Sequence, residues 1–215
     1  MLTPKDFAHT RFEYFSKPLL EEDAGLDPFA LFHRWMADAL AVGVPEPNAM
    51  TLATVDTQNR PSARIVLMKA FDERGLSFFT SYLGRKATEL GGNNHSAAVF
   101  FWEPMHRQIR IAGSVTRTSR EESDAYFQSR PRDSRLAAWS AEQSSVIQSR
   151  ESLQRSFEEM KRRFGDGPIP TPETWGGFLL NPVEFEFWQG RENRLHDRLR
   201  YRREGESWNR ERLAP

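Results

Sequence analysis

Four short stretches concentrate cationic, hydroxyl and aromatic side chains. RIVLMK places Arg64 and Lys69 at either end of an apolar run made of Ile65, Val66, Leu67 and Met68. Strand periodicity puts the two cations on opposite faces unless the strand is bulged. YLGRKATEL follows Phe79, Thr80 and Ser81 and delivers Arg85 and Lys86 where a helix is expected to begin. Free backbone donors and two cations at a helix N-terminus suit a phosphate. YFQSRPRDSRLAAWSAEQS combines Tyr126, Arg130 and Ser134, a phenol, a guanidinium and a hydroxyl, all phosphate donors. Their spacing by four would align them on one helix, but Pro131 argues against a continuous one. FWQGRENRLHDR holds Trp188, Arg194, His196 and Arg198. Alternation puts Arg194, His196 and Arg198 on one strand face. Trp188 is out of parity with Phe185 and Phe187, so it is the aromatic least easily spent on a core. Each stretch also fits an ordinary solvated surface. Together they suit a phosphorylated aromatic ligand.

The elements that must position these groups change character along the chain. Asp27-Pro28 is a helix start, and Phe29, Phe32, Trp35, Met36 and Leu40 form its apolar stripe. AMTLATVD, ARIVLMKAF, LSFFTS, AAVFFWEP and HRQIRIAGSVTRTS then read as strands. In the last of these, Ile109, Ile111, Gly113 and Val115 share one face, with Gln108 and Arg110 on the other. Closely spaced hairpins favour an antiparallel barrel or sandwich over a parallel sheet. SREESDAYFQS has a capping-box start. RDSRLAAWS is a second helix, and SSVIQSRESLQRSFEEMKRRF a longer one with Val146, Leu153, Phe157 and Met160 on a rough stripe. Residues 165–172 form a Gly- and Pro-rich loop. GFLLNP, VEFEFWQG, LHDRLRYRRE and ESWNRERLAP return to strands. A short helix is expected around 6–15. Residues 1–25 read as a mobile N-terminal segment and 26–215 as one domain.

The composition removes several kinds of chemistry. The 215 residues include no cysteine, which excludes disulfides, thiolate catalysis and cysteine metal sites. The five histidines show no metal-ligand spacing. No dinucleotide glycine motif, Walker loop or nucleophile elbow is present. Lys plus Arg and Asp plus Glu both total 30, so no net positive field favours nucleic acid. The basic residues are 25 arginines against 5 lysines, a bias toward planar, bidentate contacts with phosphate and carboxylate. No apolar run is long enough for a membrane helix, and the N-terminus does not read as a signal peptide. A cytoplasmic location is expected.

The strings RIVLMK, GRKATEL, RQIRIAG, YFQSRPRDSRLAAW, EQSS, TPETWGGF and EFWQGRENRLHDR, with a terminal ERLAP, resemble the pyridoxamine 5′-phosphate oxidase family. The resemblance covers the chain from about residue 26 and reaches the N-terminus thinly through HTRFEY. It implies a mainly β fold with flanking helices, an FMN-binding split β-barrel, in a homodimer with FMN at the subunit interface. Members oxidise pyridoxamine or pyridoxine 5′-phosphate to pyridoxal 5′-phosphate, pass electrons to O2 and release H2O2, and the amine also yields ammonia. Side chains alone do not perform this redox step, so a cofactor must carry the electrons.

By resemblance, the strand from Arg64 through Ile65, Val66, Leu67 and Met68 to Lys69 runs along FMN. Arg64, Arg85 and Lys86 hold its phosphate, Phe79 and Thr80 contact it, and Gln108 faces its ring system. Gln143, Ser144, Trp188 and Arg198 come from the partner subunit. Lys69, Tyr126, Arg130 and Ser134 hold the substrate phosphate. Arg194, Leu195 and His196 lie against the substrate ring, Arg194 and His196 as catalytic residues, and Arg11 and Tyr14 fold over it. Phe79 stands where close relatives commonly have tyrosine, and Phe12 where some have a second basic residue. Competing readings are a flavin reductase of the same fold, a non-catalytic flavin or pyridoxal phosphate store, and a nucleic-acid module. The paired RPRDS and RLHDR motifs disfavour the reductase, and zero net charge disfavours the last.

Overall fold

The computed structural model describes residues 17–215. The helix expected at 6–15, Arg11, Phe12 and Tyr14 lie outside the described residues. The chain forms two compact units. One contains the described residues up to Pro47 with 99–111 and 184–215, and the other contains 48–98 and 112–183.

In the first unit, α1 (Glu21–Ala24) precedes α2 (Pro28–Val42). Asp27 caps α2 by accepting a hydrogen bond from the Phe29 amide at 2.9 Å, and Pro28 occupies the first turn. Leu31, Phe32, Trp35 and Ala39 are its buried face. Leu40, expected on that stripe, is exposed, because the burial runs one position earlier, through Ala39. Trp35 meets Phe187 edge-on at 5.3 Å, and Phe32 meets Phe100 at 5.4 Å. Such edge-to-face pairs add to simple area burial.

In the second unit, β1 (Ala49–Val55) pairs with β2 (Pro61–Leu67), and β3 (Ala70–Asp72) with β4 (Gly75–Ser81). The sequence suggests one strand over 63–71, but the structure divides it. At the break, the Met68 amide donates to Asn48 O and the Lys69 amide to Ser77 O, so the backbone changes partner there. Helix α3 (Arg85–Gly92) follows, and β5 (His95–Trp102) and β6 (Arg107–Arg117) each contribute residues to both units. Ile109, Ile111, Gly113 and Val115 are the buried face of β6, as the alternation requires.

Helix α4 (Arg120–Ser129) starts on the expected capping box, with Ser119 and Glu122 exchanging hydrogen bonds. Helix α5 (Arg132–Ser140) and helix α6 (Arg150–Phe164) come next. The long helix begins at the Ser149 cap rather than at Ser144, because Ser149 and Ser152 form a second capping box. Val146 is fully exposed as a result, and Phe157 and Met160 alone carry the expected stripe onto the core around Phe127, Leu136, Ile169 and Trp175.

GFLLNP and VEFEFWQG join into one strand, β7 (Trp175–Gln189), despite Pro182. Leu76–Ser81 of β4 pair with Trp175–Leu180, whereas β8 (Asp197–Glu204) pairs with Glu184–Gln189. Pro182 sits between these two ladders. A Cβ at Gly113 would fall 1.9 Å from Asn181 O, so glycine makes room for the strand at this point. Strand β9 (Ser207–Arg212) completes the terminal meander on β8. The strand order is β2-β1-β5-β6-β7-β4-β3, with β8 on β7 and β9 on β8. No helix among the described residues is long and apolar enough to cross a membrane.

Candidate functional site

A cavity of about 490 Å³ in the second unit gathers Arg64, Ile65, Val66, Leu67, Lys69, Phe79, Thr80, Lys86, Tyr126, Arg130, Ser134 and Gln143, all chosen from sequence, together with Pro131 and Trp175. The break after Leu67 resolves the parity problem of Arg64 and Lys69: the strand ends between them, and both line the same space. Met68 is buried and does not line it.

One end of the cavity is organised by a buried carboxylate. Glu89 of α3 accepts hydrogen bonds from Thr54 on β1, from Ser62 at 2.7 Å and Arg64 at 3.0 Å on β2, and from Arg85 at 2.8 Å one turn earlier in α3. Burial pushes this carboxyl up. The bonds from Thr54, Ser62, Arg85 and Arg64 outweigh that and hold it down at about 2. Arg85 itself projects outward and does not line the cavity. Lys86 points inward and donates to Thr80 Oγ1 at 3.1 Å and to Gln143 Oε1 at 2.7 Å. Burial, and then the Arg64 charge, lower its ammonium pKa. Gln143, assigned by resemblance to the partner subunit, thus reaches its own chain's cavity. A Cβ at Gly84 would come 2.5 Å from Gln143 Oε1, so this glycine permits the approach. Ser144 Oγ accepts from the Arg85 amide at 3.4 Å, outside the cavity lining.

The other end is aromatic and cationic. Phe79 stacks on Tyr126 at 4.1 Å and on Trp175 at 5.8 Å. Arg130 follows α4 in extended backbone, as a residue before proline must, and Pro131 turns the chain into α5. The interruption that spoils helical spacing therefore brings Tyr126, Arg130 and Ser134 to one cavity from two helices. The Arg130 guanidinium lies 4.9 Å from the Trp175 ring centroid. Its Nη1 is buried with no hydrogen-bond partner among the described residues. A buried cationic donor without a partner is a place for an anion.

The remaining predicted residues belong to the first unit. Residues 194–196 are not a strand, so the shared-face expectation for Arg194 and His196 fails. Glu192–Arg194 is a short 3-10 turn in which Asn193 and Arg194 take φ of 54° and 63°. Left-handed non-glycine residues in succession store backbone strain of the kind found at functional loops. The β7–β8 register sets Trp188 opposite Arg198 and His196 against the Trp188 ring at 4.8 Å. Arg198 is held by Glu186, a buried carboxylate that also accepts from Arg110. His196 Nδ1 accepts from the Arg191 amide at 3.1 Å, which places the proton of the neutral ring on Nε2. Burial, then the Arg194 charge, lowers the His196 pKa. Leu195 and Arg194 are exposed, and Gln108 is half-buried on β6.

Glu89, Glu186 and Trp175 were missed in the sequence. Glu89 had one visible signal, its i,i+4 spacing from Arg85. A larger cleft of about 640 Å³ beside Trp139 and Pro170 carries Glu142 and Glu173 and no cation, so it does not suit an anionic ligand. No cluster able to hold a metal ion occurs among the described residues.

Known proteins give the arrangement its family. Residues 36–164 match the family model described as pyridoxamine 5′-phosphate oxidase, and residues 175–215 match the pyridoxine 5′-phosphate oxidase C-terminal dimerisation region. The chain belongs to the pyridoxine/pyridoxamine 5′-phosphate oxidase family. It is 52% identical over 211 residues to the pyridoxine/pyridoxamine 5′-phosphate oxidase of Rubrobacter xylanophilus, covering 98% of this chain and 97% of that one. It is 54% identical over 206 residues to the Bordetella avium oxidase, covering 95% and 97%. Among solved structures, PhzG from Burkholderia lata 383, in complex with tetrahydrophenazine-1-carboxylic acid, superposes with a TM-score of 0.88 at 31% identity, over 93% of this chain and 99% of that one. The expected fold class, mainly β with flanking helices in a split barrel, is borne out by this likeness.

Proposed function

We propose that this chain is an FMN-dependent pyridoxal 5′-phosphate synthase that oxidises pyridoxamine and pyridoxine 5′-phosphates with O2 and releases H2O2, as part of vitamin B6 metabolism. The observation that carries this reading is the convergence, in one cavity, of four cations, Arg64, Lys69, Lys86 and Arg130, with Lys86 close enough to Arg64 to feel its charge. A phosphorylated cofactor and a phosphorylated substrate each require cations. The buried Nη1 of Arg130, without a partner among the described residues, fits a phosphate oxygen, and the aromatic and aliphatic walls fit planar rings.

In this reading FMN, when bound, supplies the electron transfer that side chains cannot. Arg64 and Lys86 hold its phosphate from the cavity wall, with Ile65, Val66, Leu67, Phe79, Thr80 and Gln143 as further contacts there; Arg85, Met68, Gln108, Ser144, Trp188 and Arg198, which do not line this cavity, are assigned to FMN by family likeness alone. Lys69, Tyr126, Arg130 and Ser134 anchor the substrate phosphate and so fix where the oxidised carbon lies. Arg194 holds the substrate ring and stabilises developing negative charge; its guanidinium stays protonated and is not a base. His196, neutral with its proton on Nε2, donates to a ring oxygen. Arg11 and Tyr14 cover the substrate. A homodimer supplies partner contacts, in keeping with the dimerisation region matched at 175–215.

The test is purification and anaerobic titration. The protein should be yellow, bleach on adding pyridoxamine 5′-phosphate without air, and recolour in air with formation of pyridoxal 5′-phosphate and peroxide. A colourless chain that cannot take up FMN refutes the reading, and a yellow chain that does not bleach marks a binding protein.

A further inference from the structure

We infer that Trp175 is a positioning residue for substrate: its indole face holds the Arg130 guanidinium so that Nη1, which has no partner among the described residues, points at the ligand's phosphate. This rests on the functional reading above and adds a residue to it.

The geometry is specific. Pro131 denies Arg130 a helical backbone, so the side chain leaves the axis of α4 and folds back over β7. There it meets Trp175, the first residue of β7, at 4.9 Å from the ring centroid, with Phe127 at 5.6 Å. Trp175 is 7% exposed and lines the cavity. Its ring is fixed on several sides. Tyr126 stacks nearly parallel to it, at 8° and 6.2 Å, Phe79 stacks at 15°, and Phe127 packs edge-on at 5.0 Å.

Buried guanidinium without a carboxylate partner is costly. Burial lowers the Arg130 pKa, a sign of that cost. An acidic partner would satisfy the charge but compete with the substrate's phosphate. An indole attracts the cation through its quadrupole and uses none of its N–H donors. Trp175 therefore stabilises Arg130 in place while leaving the donors for ligand.

The probe pair is 4′-deoxypyridoxine 5′-phosphate, which lacks the oxidisable group, and its unphosphorylated parent, each titrated into the FMN-loaded full chain. Wild type should prefer the phosphorylated compound. Trp175→Leu should weaken its binding about tenfold, between the exposed and fully desolvated sizes of a cation–π contact, as suits a half-buried arginine, and leave the parent compound and FMN affinity unchanged. Trp175→Phe, which keeps a ring with a weaker quadrupole, should lose about threefold. Fluorinated tryptophans at position 175 keep the shape and drain the ring face. Affinity for the phosphate should fall stepwise with fluorine number at constant thermal midpoint, a response that mere packing does not produce. Wild-type preference retained in Trp175→Leu, or a flat fluorination series, overturns this inference alone. A wild-type chain that binds both probes alike overturns the functional reading and this inference with it.

Discussion

Replacing Glu89 with glutamine should destabilise the protein in a pH-dependent way. Glu89 is 6% exposed and accepts from four side chains on β1, β2 and α3. Its carboxyl is held at about 2 against an ordinary 4.5. That difference corresponds to about 3 kcal/mol of native-state stabilisation. The Arg85 side chain is 65% exposed, so solvent screening brings the expected value to about 1–2 kcal/mol. For a chain of this size the loss corresponds to a midpoint lower by roughly 2–8 °C. The sign follows from a depressed folded pKa. The contribution is fully present above 4.5 and is lost as pH falls through about 2. At pH 3.5 about 60% of it should remain. Urea unfolding of wild type and Glu89→Gln at pH 7, 5, 4 and 3.5 reads this directly. A stability gap that stays constant or widens toward acid refutes the reasoning.

Other outcomes follow from the same geometry. Arg130→Ala should raise KM for the phosphorylated substrate more than 10-fold, as expected for loss of a charge-assisted contact worth about 1.5–3 kcal/mol; steady-state kinetics beside FMN titration checks that flavin affinity is kept. The His196 imidazole should titrate below 6.5 by NMR, and Arg194→Gln should move it upward by removing a neighbouring positive charge, the weaker of the two causes of the shift. Gly113→Ala should cost about 1–3 kcal/mol or more, because its Cβ meets backbone Asn181 O at 1.9 Å; thermal unfolding measures it. Ser119→Ala should cost about 1 kcal/mol through loss of the α4 cap, read in the same assay.

Local rules written in the sequence were sufficient for much of this protein. Asp27-Pro28 and Ser119 with Glu122 start helices because their side chains satisfy backbone donors nearby, whatever surrounds them. The alternation of Ile109, Ile111, Gly113 and Val115 names a buried face because a strand has period two. The choice of Lys69, Tyr126, Arg130 and Ser134 was likewise legible from residue chemistry and family likeness. Tertiary structure decided how they meet. Lys69 joins Arg64 because the strand breaks at Met68, where the backbone finds partners in Asn48 and Ser77, residues distant in sequence. Arg194 and His196 leave strand geometry because the β7–β8 ladder stops at Asp197. Glu89 and Trp175 escaped notice for the same reason. A buried carboxylate is defined by donors from separate elements, and a cation–π platform by the side chain folded over it. The i,i+4 spacing of Arg85 and Glu89 shows one of the carboxylate's donors, but the donors from β1 and β2 and the face of Trp175 have no period or spacing, so packing reveals them.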